Sequence, residues 1–266
     1  SGTAPERASV PHRQAESRRF VINHFPTSLF PAASLMLKQS LWALAAALFF
    51  SMMAACVKLT NGELTTLEMV FYRSLFGVIT IGLFVKRNHL SLKTPHLMGN
   101  ITRSILGTLS ISVWFFTLGQ LPFGTNMTLV YTTPLFMSVN FIILALLRHQ
   151  RAPWGLAAAI IAGFSGITII LQPSFSSDQL WPALLTLSVA LLDLAIYWQM
   201  KELGRLQEPS WRIVFYFTCF GTCFGLIGAY LLEDGLHMPS PEAALAVLAM
   251  GAFATLGQIA TTRSYA

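Results

Sequence analysis

Charge is scarce in this chain. Only 11% of its 266 residues are Asp, Glu, Lys or Arg, and 54% are hydrophobic. Soluble domains carry about a quarter charged residues, so a water-facing globule is excluded. Histidine is missing from every long apolar run: His12, His24, His89, His96, His149 and His237 all fall in polar stretches. Gly163-Phe164-Ser165-Gly166 has the Gly-x-Ser-Gly form of an intramembrane serine protease. Such a serine needs a base within hydrogen-bond reach, and no apolar run offers a histidine. Neither His-Glu-x-x-His nor a Gly-Lys dipeptide occurs anywhere. The first absence removes the usual zinc hydrolase, and the second removes the P-loop. No enzyme is expected, no cofactor is implied, and uphill work must draw on a gradient, an exchanged solute or a separate ATPase subunit. The three cysteines, Cys56, Cys219 and Cys223, lie in apolar runs, which argues against a disulfide framework. Cys219 and Cys223 share a helix face but have no His or further Cys beside them, so no metal site is expected.

What the chain has is apolar length. Eight runs, at roughly 41–59, 67–86, 97–119, 123–147, 153–171, 180–200, 211–232 and 242–262, are each long enough to cross a bilayer. Lys and Arg precede the first run (Arg18, Arg19, Lys38) and fill alternate loops (Lys86, Arg87, Lys93; Arg148, Arg151; Lys201, Arg205, Arg212). The other loops hold Glu63, Asp178, Glu233, Asp234 and Glu242, with Lys58 the one base. Basic loops stay cytoplasmic, which predicts an integral membrane protein with its N-terminus inside. The net charge of +6 therefore belongs to loops and is no sign of nucleic-acid binding. Trp42, Trp154, Trp181, Trp198 and Trp211 fall near run ends, where an amphipathic ring suits the headgroup region; Trp114 is more interior. Residues 1–35 are polar and Arg-rich. Met36 is the expected native start, with 1–35 a foreign or upstream extension; a disordered cytoplasmic tail is the alternative. A cleavable signal is not expected in this stretch.

Glu68 to Gly77 reads Glu-Met-Val-Phe-Tyr-Arg-Ser-Leu-Phe-Gly, and Arg212 to Gly221 reads Arg-Ile-Val-Phe-Tyr-Phe-Thr-Cys-Phe-Gly. The echo is offset by 144 residues and breaks at Arg73 against Phe217. The second copy lies five runs after the first, an odd number, so it inserts in the opposite sense. Inverted repeats are a mark of secondary transporters, with the solute site between repeats near mid-membrane.

Further stretches point the same way: Leu121-Pro122, then Leu129, Tyr131 and Pro134-Leu135-Phe136; Gly163, Gly166-Ile167 and Pro173; Gly251, Leu256-Gly257-Gln258 and Thr262-Arg263-Ser264-Tyr265. With Glu68 and Arg73, and in this order, they resemble the EamA-type proteins of the drug/metabolite transporter superfamily over about residues 40–266. The resemblance implies an all-α integral membrane bundle of two inverted five-helix repeats working by alternating access. Residues 36–173 would form the first repeat and 174–266 an incomplete second, with eight of an expected ten spans present. Asn126 and Ser264 stand where the family usually has Ala.

Asp193 lies about 12 residues into the sixth run, near mid-membrane at 1.5 Å rise per residue. A carboxylate there must be neutral, paired or facing water. It is the leading candidate for proton coupling or for a solute amine, with Tyr197 one turn away as its hydrogen-bond partner; a structural Asp between helices is the other reading. Arg73 is either an anchor for an anionic solute group or a structural Arg whose side chain leans N-terminally to the interface. Asn126, Thr133 and Asn140 recur every seven residues on nearly one face, either lining a cavity or bonding helices together. Pro134 frees a carbonyl one turn back for a neighbouring Thr hydroxyl. Tyr131 and Trp114 are candidates for stacking on a flat solute or for packing, and Gln258 joins the list of binding candidates. Gly221, Gly225 and Gly228 permit close helix approach. The expected partners are a small amphipathic solute, such as an amino-acid or nucleoside derivative or a drug-like compound, and the lipid bilayer. A homodimer is left open. The rival is a non-transporting assembly or receptor subunit.

Overall fold

The computed structural model describes residues 29–60, 62–149, 154–174 and 176–265, with backbone only for 29–36 and 177. Most of the polar tail, including Arg18 and Arg19, and the loop residue Arg151 lie outside the described residues. The helices are α1 (Leu29–Thr60), α2 (Thr66–Arg87), α3 (Leu97–Gln120), α4 (Phe123–Val130), α5 (Thr133–Leu147), α6 (Trp154–Leu171), α7 (Leu180–Arg205), α8 (Ser210–Leu232) and α9 (Pro241–Tyr265). Counting α4 and α5 together, eight spans among the described residues are long and apolar enough to cross a membrane. This is an all-α membrane bundle. Its helix ends fall close to those read from hydropathy, with two extensions. Helix α1 begins at Leu29, before Met36, with Pro31 in its first turn, where a missing N–H costs nothing. Helix α7 continues to Arg205, where Arg205 pairs with Glu202 at 2.6 Å.

The polarity of the bundle is inside out. Leu44, Leu48, Leu83, Ile169, Ile170 and Leu231 are exposed, whereas Arg73, Ser74, Arg103, Ser104, Thr108 and Asn126 are buried. Lipid solvates the first set, and the second must be satisfied within the protein.

The fourth span is broken, and its sequence says why. Pro134 has no N–H to give to the carbonyl of Val130. The Thr133 hydroxyl donates there instead at 2.8 Å, and the Thr132 hydroxyl donates to the Leu129 carbonyl at 2.6 Å. Two short helices result, turned at Tyr131–Thr132.

Helices α2 and α8, which carry the echo, form the closest seam. A Cβ on Gly77 would lie 2.5 Å from Thr218, and a Cβ on Gly221 would lie 2.6 Å from Ser74. Thr218 is the echo of Ser74 and Gly221 the echo of Gly77, so the two contacts are one contact made twice. Reciprocity of this kind is the signature of a local two-fold axis. Further along, Gly225 meets the backbone of Phe71, and Gly228 meets Leu67. Partner numbers fall along α8 as they rise along α2, so the helices are antiparallel, as opposite insertion requires. The gaps between the other spans follow the same scheme: α3 packs on α7 and α8, and α9 packs on α2 and α8.

Each end of the seam is fastened by charge. At the acidic end, Glu68 accepts from the Thr65 N–H at 2.8 Å and from the His237 backbone, and Glu233 accepts from the Leu67 N–H at 3.1 Å. These carboxylates satisfy the open N–H groups of the first turn of α2. Lys58, the odd base at this end, donates to the carbonyls of Leu118 (3.0 Å) and Leu121 (3.3 Å), where α3 finishes. At the basic end, Arg212 pairs with Glu208 at 3.2 Å and donates to the Ser91 carbonyl at 2.9 Å.

Candidate functional site

A cavity of about 290 Å³ opens between α1, α3, α4, α5, α7, α8 and α9. Small residues make room for it: Gly107 on α3 could not carry a Cβ without striking the Arg103 guanidinium. The wall is largely aromatic, from Phe50, Trp114, Tyr197, Phe217 and Tyr265. Its polar groups are Arg103, Ser110, Thr133, Asp193, Gln258 and Thr261. The cavity thus offers flat apolar surfaces with one carboxylate and one guanidinium, the usual make-up of a small-molecule site.

Asp193 is in place, but its partner is not the one expected. The Ser110 hydroxyl on α3 donates to Asp193 Oδ1 at 2.9 Å. Tyr197 lines the same cavity but packs edge-on against Tyr265, ring centroids 5.4 Å apart. Gln258 accepts from Arg103 Nη2 at 3.1 Å, and Arg103 Nε reaches the Met200 sulfur at 3.2 Å. The Arg103 guanidinium also lies over the Phe217 ring, 4.6 Å from its centroid.

The heptad stripe on the fourth span does not act as one face, because the break at Tyr131–Thr132 divides it. Asn126 is wholly buried and bridges α4 to α3: Trp114 Nε1 donates to its Oδ1 at 2.9 Å, and its Nδ2 donates to the Thr117 hydroxyl at 3.0 Å. Thr133, at the break, faces the cavity. Asn140 takes a hydrogen bond from Trp198 Nε1 at 3.2 Å, away from the cavity. Tyr131 packs against the apolar core cluster that includes Met127. Trp114 both lines the cavity and is held by Asn126.

Arg73 does not reach the surface. It is 2% exposed, and its guanidinium carbon lies 5.1 Å from the centroid of the same Phe217 ring that carries Arg103. The residue missed in the sequence is Arg103 itself. The signal was present, since a charged side chain inside an apolar run is a functional candidate by default. Ser110 and Tyr265 carried no comparable signal. Among the described residues, no group of three His, Cys, Asp or Glu could hold a metal ion.

A membrane-spanning bundle with a polar, aromatic-walled chamber is the architecture of a solute transporter. The chain belongs to the EamA-like transporter family, whose pattern matches residues 37–172. It is similar to the pseudopaline exporter CntI of Pseudomonas aeruginosa, with 26% identity over 228 residues, 85% of this chain and 77% of that protein. It is also similar to a riboflavin transporter of Rhizobium johnstonii, with 27% identity over 243 residues, 90% of this chain and 78% of that one. An uncharacterised transporter of Helicobacter pylori is 23% identical over 84% of this chain and 76% of that protein. One solved crystal structure shares the fold with a TM-score of 0.69 at 16% identity, covering 85% of this chain and 78% of the other. The protein is a membrane transporter.

Proposed function

We propose that the protein moves a small amphipathic solute, an amino-acid or nucleoside derivative or a compound of similar character, across the bacterial inner membrane by alternating access. The basic end would face the cytoplasm, as the loop charges require. The observation that carries the reading is Asp193 in the cavity wall: its carboxylate can take a solute amine or a coupling proton, while the aromatic wall takes the apolar part. The two halves meet at the α2–α8 axis beside the chamber, the arrangement expected for a site between inverted repeats. Relatives named for two unlike solutes, pseudopaline and riboflavin, are consistent with a scaffold whose chamber lining sets the cargo.

The test is uptake of labelled amino acids and nucleosides into proteoliposomes of the full-length protein, with and without a pH gradient. Transport should be lost in Asp193→Asn while insertion and thermal stability are retained. If solute moves equally well in that variant, the assignment of Asp193 is wrong.

A further inference from the structure

Two arginines share one aromatic ring at the heart of this protein, and among the described residues neither is paired with an acid. Arg73 and Arg103 are 2% and 4% exposed. Their guanidinium carbons lie 5.1 and 4.6 Å from the Phe217 centroid. Among the described residues, Arg73 Nε and Nη1 and Arg103 Nη1 have no hydrogen-bond partner, nor do the Ser74 and Thr108 hydroxyls one turn away beside Gly221. Among the described residues no acid hydrogen-bonds to either guanidinium, although Asp193 is close enough to Arg103 to feel its charge. Asp193 is bonded to Ser110, and Glu68 is bonded to Thr65 and His237. Guanidinium stays charged under all ordinary conditions. Two buried cations against the one cavity carboxylate leave a net positive charge in a low-dielectric interior, where an uncompensated ion is strongly disfavoured. The ring offers each cation a favourable face, but it offers neither an acceptor. Three unpartnered guanidinium nitrogens therefore flank one ring, and of the two arginines Arg103 lines the chamber.

We propose that the Arg73–Phe217–Arg103 cluster is an anion-binding subsite on the chamber wall that takes a carboxylate group. This rests on the transporter reading and narrows it: the transported solute carries a carboxylate, held by Arg103 with Arg73 behind it, while Asp193 faces the solute's cationic or neutral end. A resident inorganic anion would use the same donors, so the shared chemistry is a small monoanion. The planar fork of Arg suits a carboxylate with two parallel bonds.

Binding can be measured without transport, so its failure is distinct from failure of the transporter reading. The purified full-length protein is titrated with sodium acetate, sodium chloride or neutral acetamide, at constant ionic strength held by a bulky sulfonate salt, and its Tm is followed. A ligand that binds only the folded state raises Tm with the logarithm of its concentration once that exceeds Kd, here by about 3–5 °C for each further tenfold in a chain of this size. The expected result is a logarithmic rise with acetate, none with acetamide, and loss of the rise in both Arg103→Gln and Arg73→Gln but not in Arg263→Gln, a cation set over the Trp42 ring instead. A chloride rise equal to or larger than that for acetate, lost in the same variants, supports the anion subsite with a resident inorganic ion and overturns the solute-carboxylate assignment. If the arginine variants do not fold, the wild-type titration still decides. No rise with either anion, or a rise matched by acetamide, overturns the proposal.

Discussion

Replacing Gly225 with Ala should loosen the α2–α8 seam measurably. The added Cβ would lie 2.7 Å from the Phe71 nitrogen, 2.8 Å from the Phe71 Cα and 3.0 Å from the Leu67 carbonyl oxygen. All three are backbone atoms of α2, so no rotamer change can relieve the overlap. The first turn of α2 is further held by Glu233 on the Leu67 N–H. Ordinary contact needs about 3.4 Å or more, so the helices must part by about 0.7 Å. That also opens the neighbouring contacts of Gly221 with Ser74 and of Gly228 with Leu67. Overpacking of this kind costs about 1–3 kcal/mol, of which Ala's better helix propensity returns up to about 1 kcal/mol. Gly163→Ala is the control, because a Cβ there meets nothing within 4 Å. Unfolding in mixed micelles with added SDS should place Gly225→Ala about 1–3 kcal/mol below Gly163→Ala. Equal midpoints for the two variants would show that the seam is not close-packed and would refute the argument.

Thr133→Val should destabilise by about 1 kcal/mol, the ordinary net worth of one hydrogen bond, because the Val130 carbonyl loses its donor. Adding Pro134→Ala should recover that loss, since the new residue supplies the missing backbone N–H; both are read from the same SDS titration, and a double variant no better than the single would sink the explanation of the break. Gln207 sits just past α7 with φ at +56°. Gln207→Gly relieves a left-handed residue and should raise stability by up to about 1 kcal/mol, reduced by the extra freedom glycine has when unfolded; a lowered Tm would contradict it.

The spans and their alternation could be read because the bilayer imposes one length and one kind of surface on every helix. The rescue of Val130 by Thr133 could be read as well, being a matter of neighbours in sequence. The lost information is tertiary. Heptad spacing placed Asn126, Thr133 and Asn140 on one face only if the fourth span were straight, and Pro134 sets them in three different environments. Helical spacing offered Tyr197 as the partner of Asp193, but Ser110 arrives from another helix, which no local pattern reports. The N-terminal lean of a helical side chain suggested an escape route for Arg73. Helix α8 stands across that route, brought close by its own glycines. Arg103 is a different case: it could have been found by the same scan that found Asp193.

The break in the echo now has a physical reason. Arg73 and Phe217 occupy equivalent places in the two copies, and the local two-fold axis makes them neighbours, with the guanidinium over the ring at 5.1 Å. A residue close to such an axis faces its own counterpart, so a perfect repeat allows only like against like. Arg at both places would set two cations about 5 Å apart, a repulsion on the order of 3 kcal/mol at an effective dielectric of about 20. Phe at both would pack well and carry no charge into the centre of the bundle. Arg against Phe turns the forced contact into an attraction of about 0.5–2 kcal/mol, and it leaves the ring to receive Arg103 as well. The asymmetry is therefore what lets a two-fold scaffold hold positive charge at its centre, next to the chamber where a solute must be recognised.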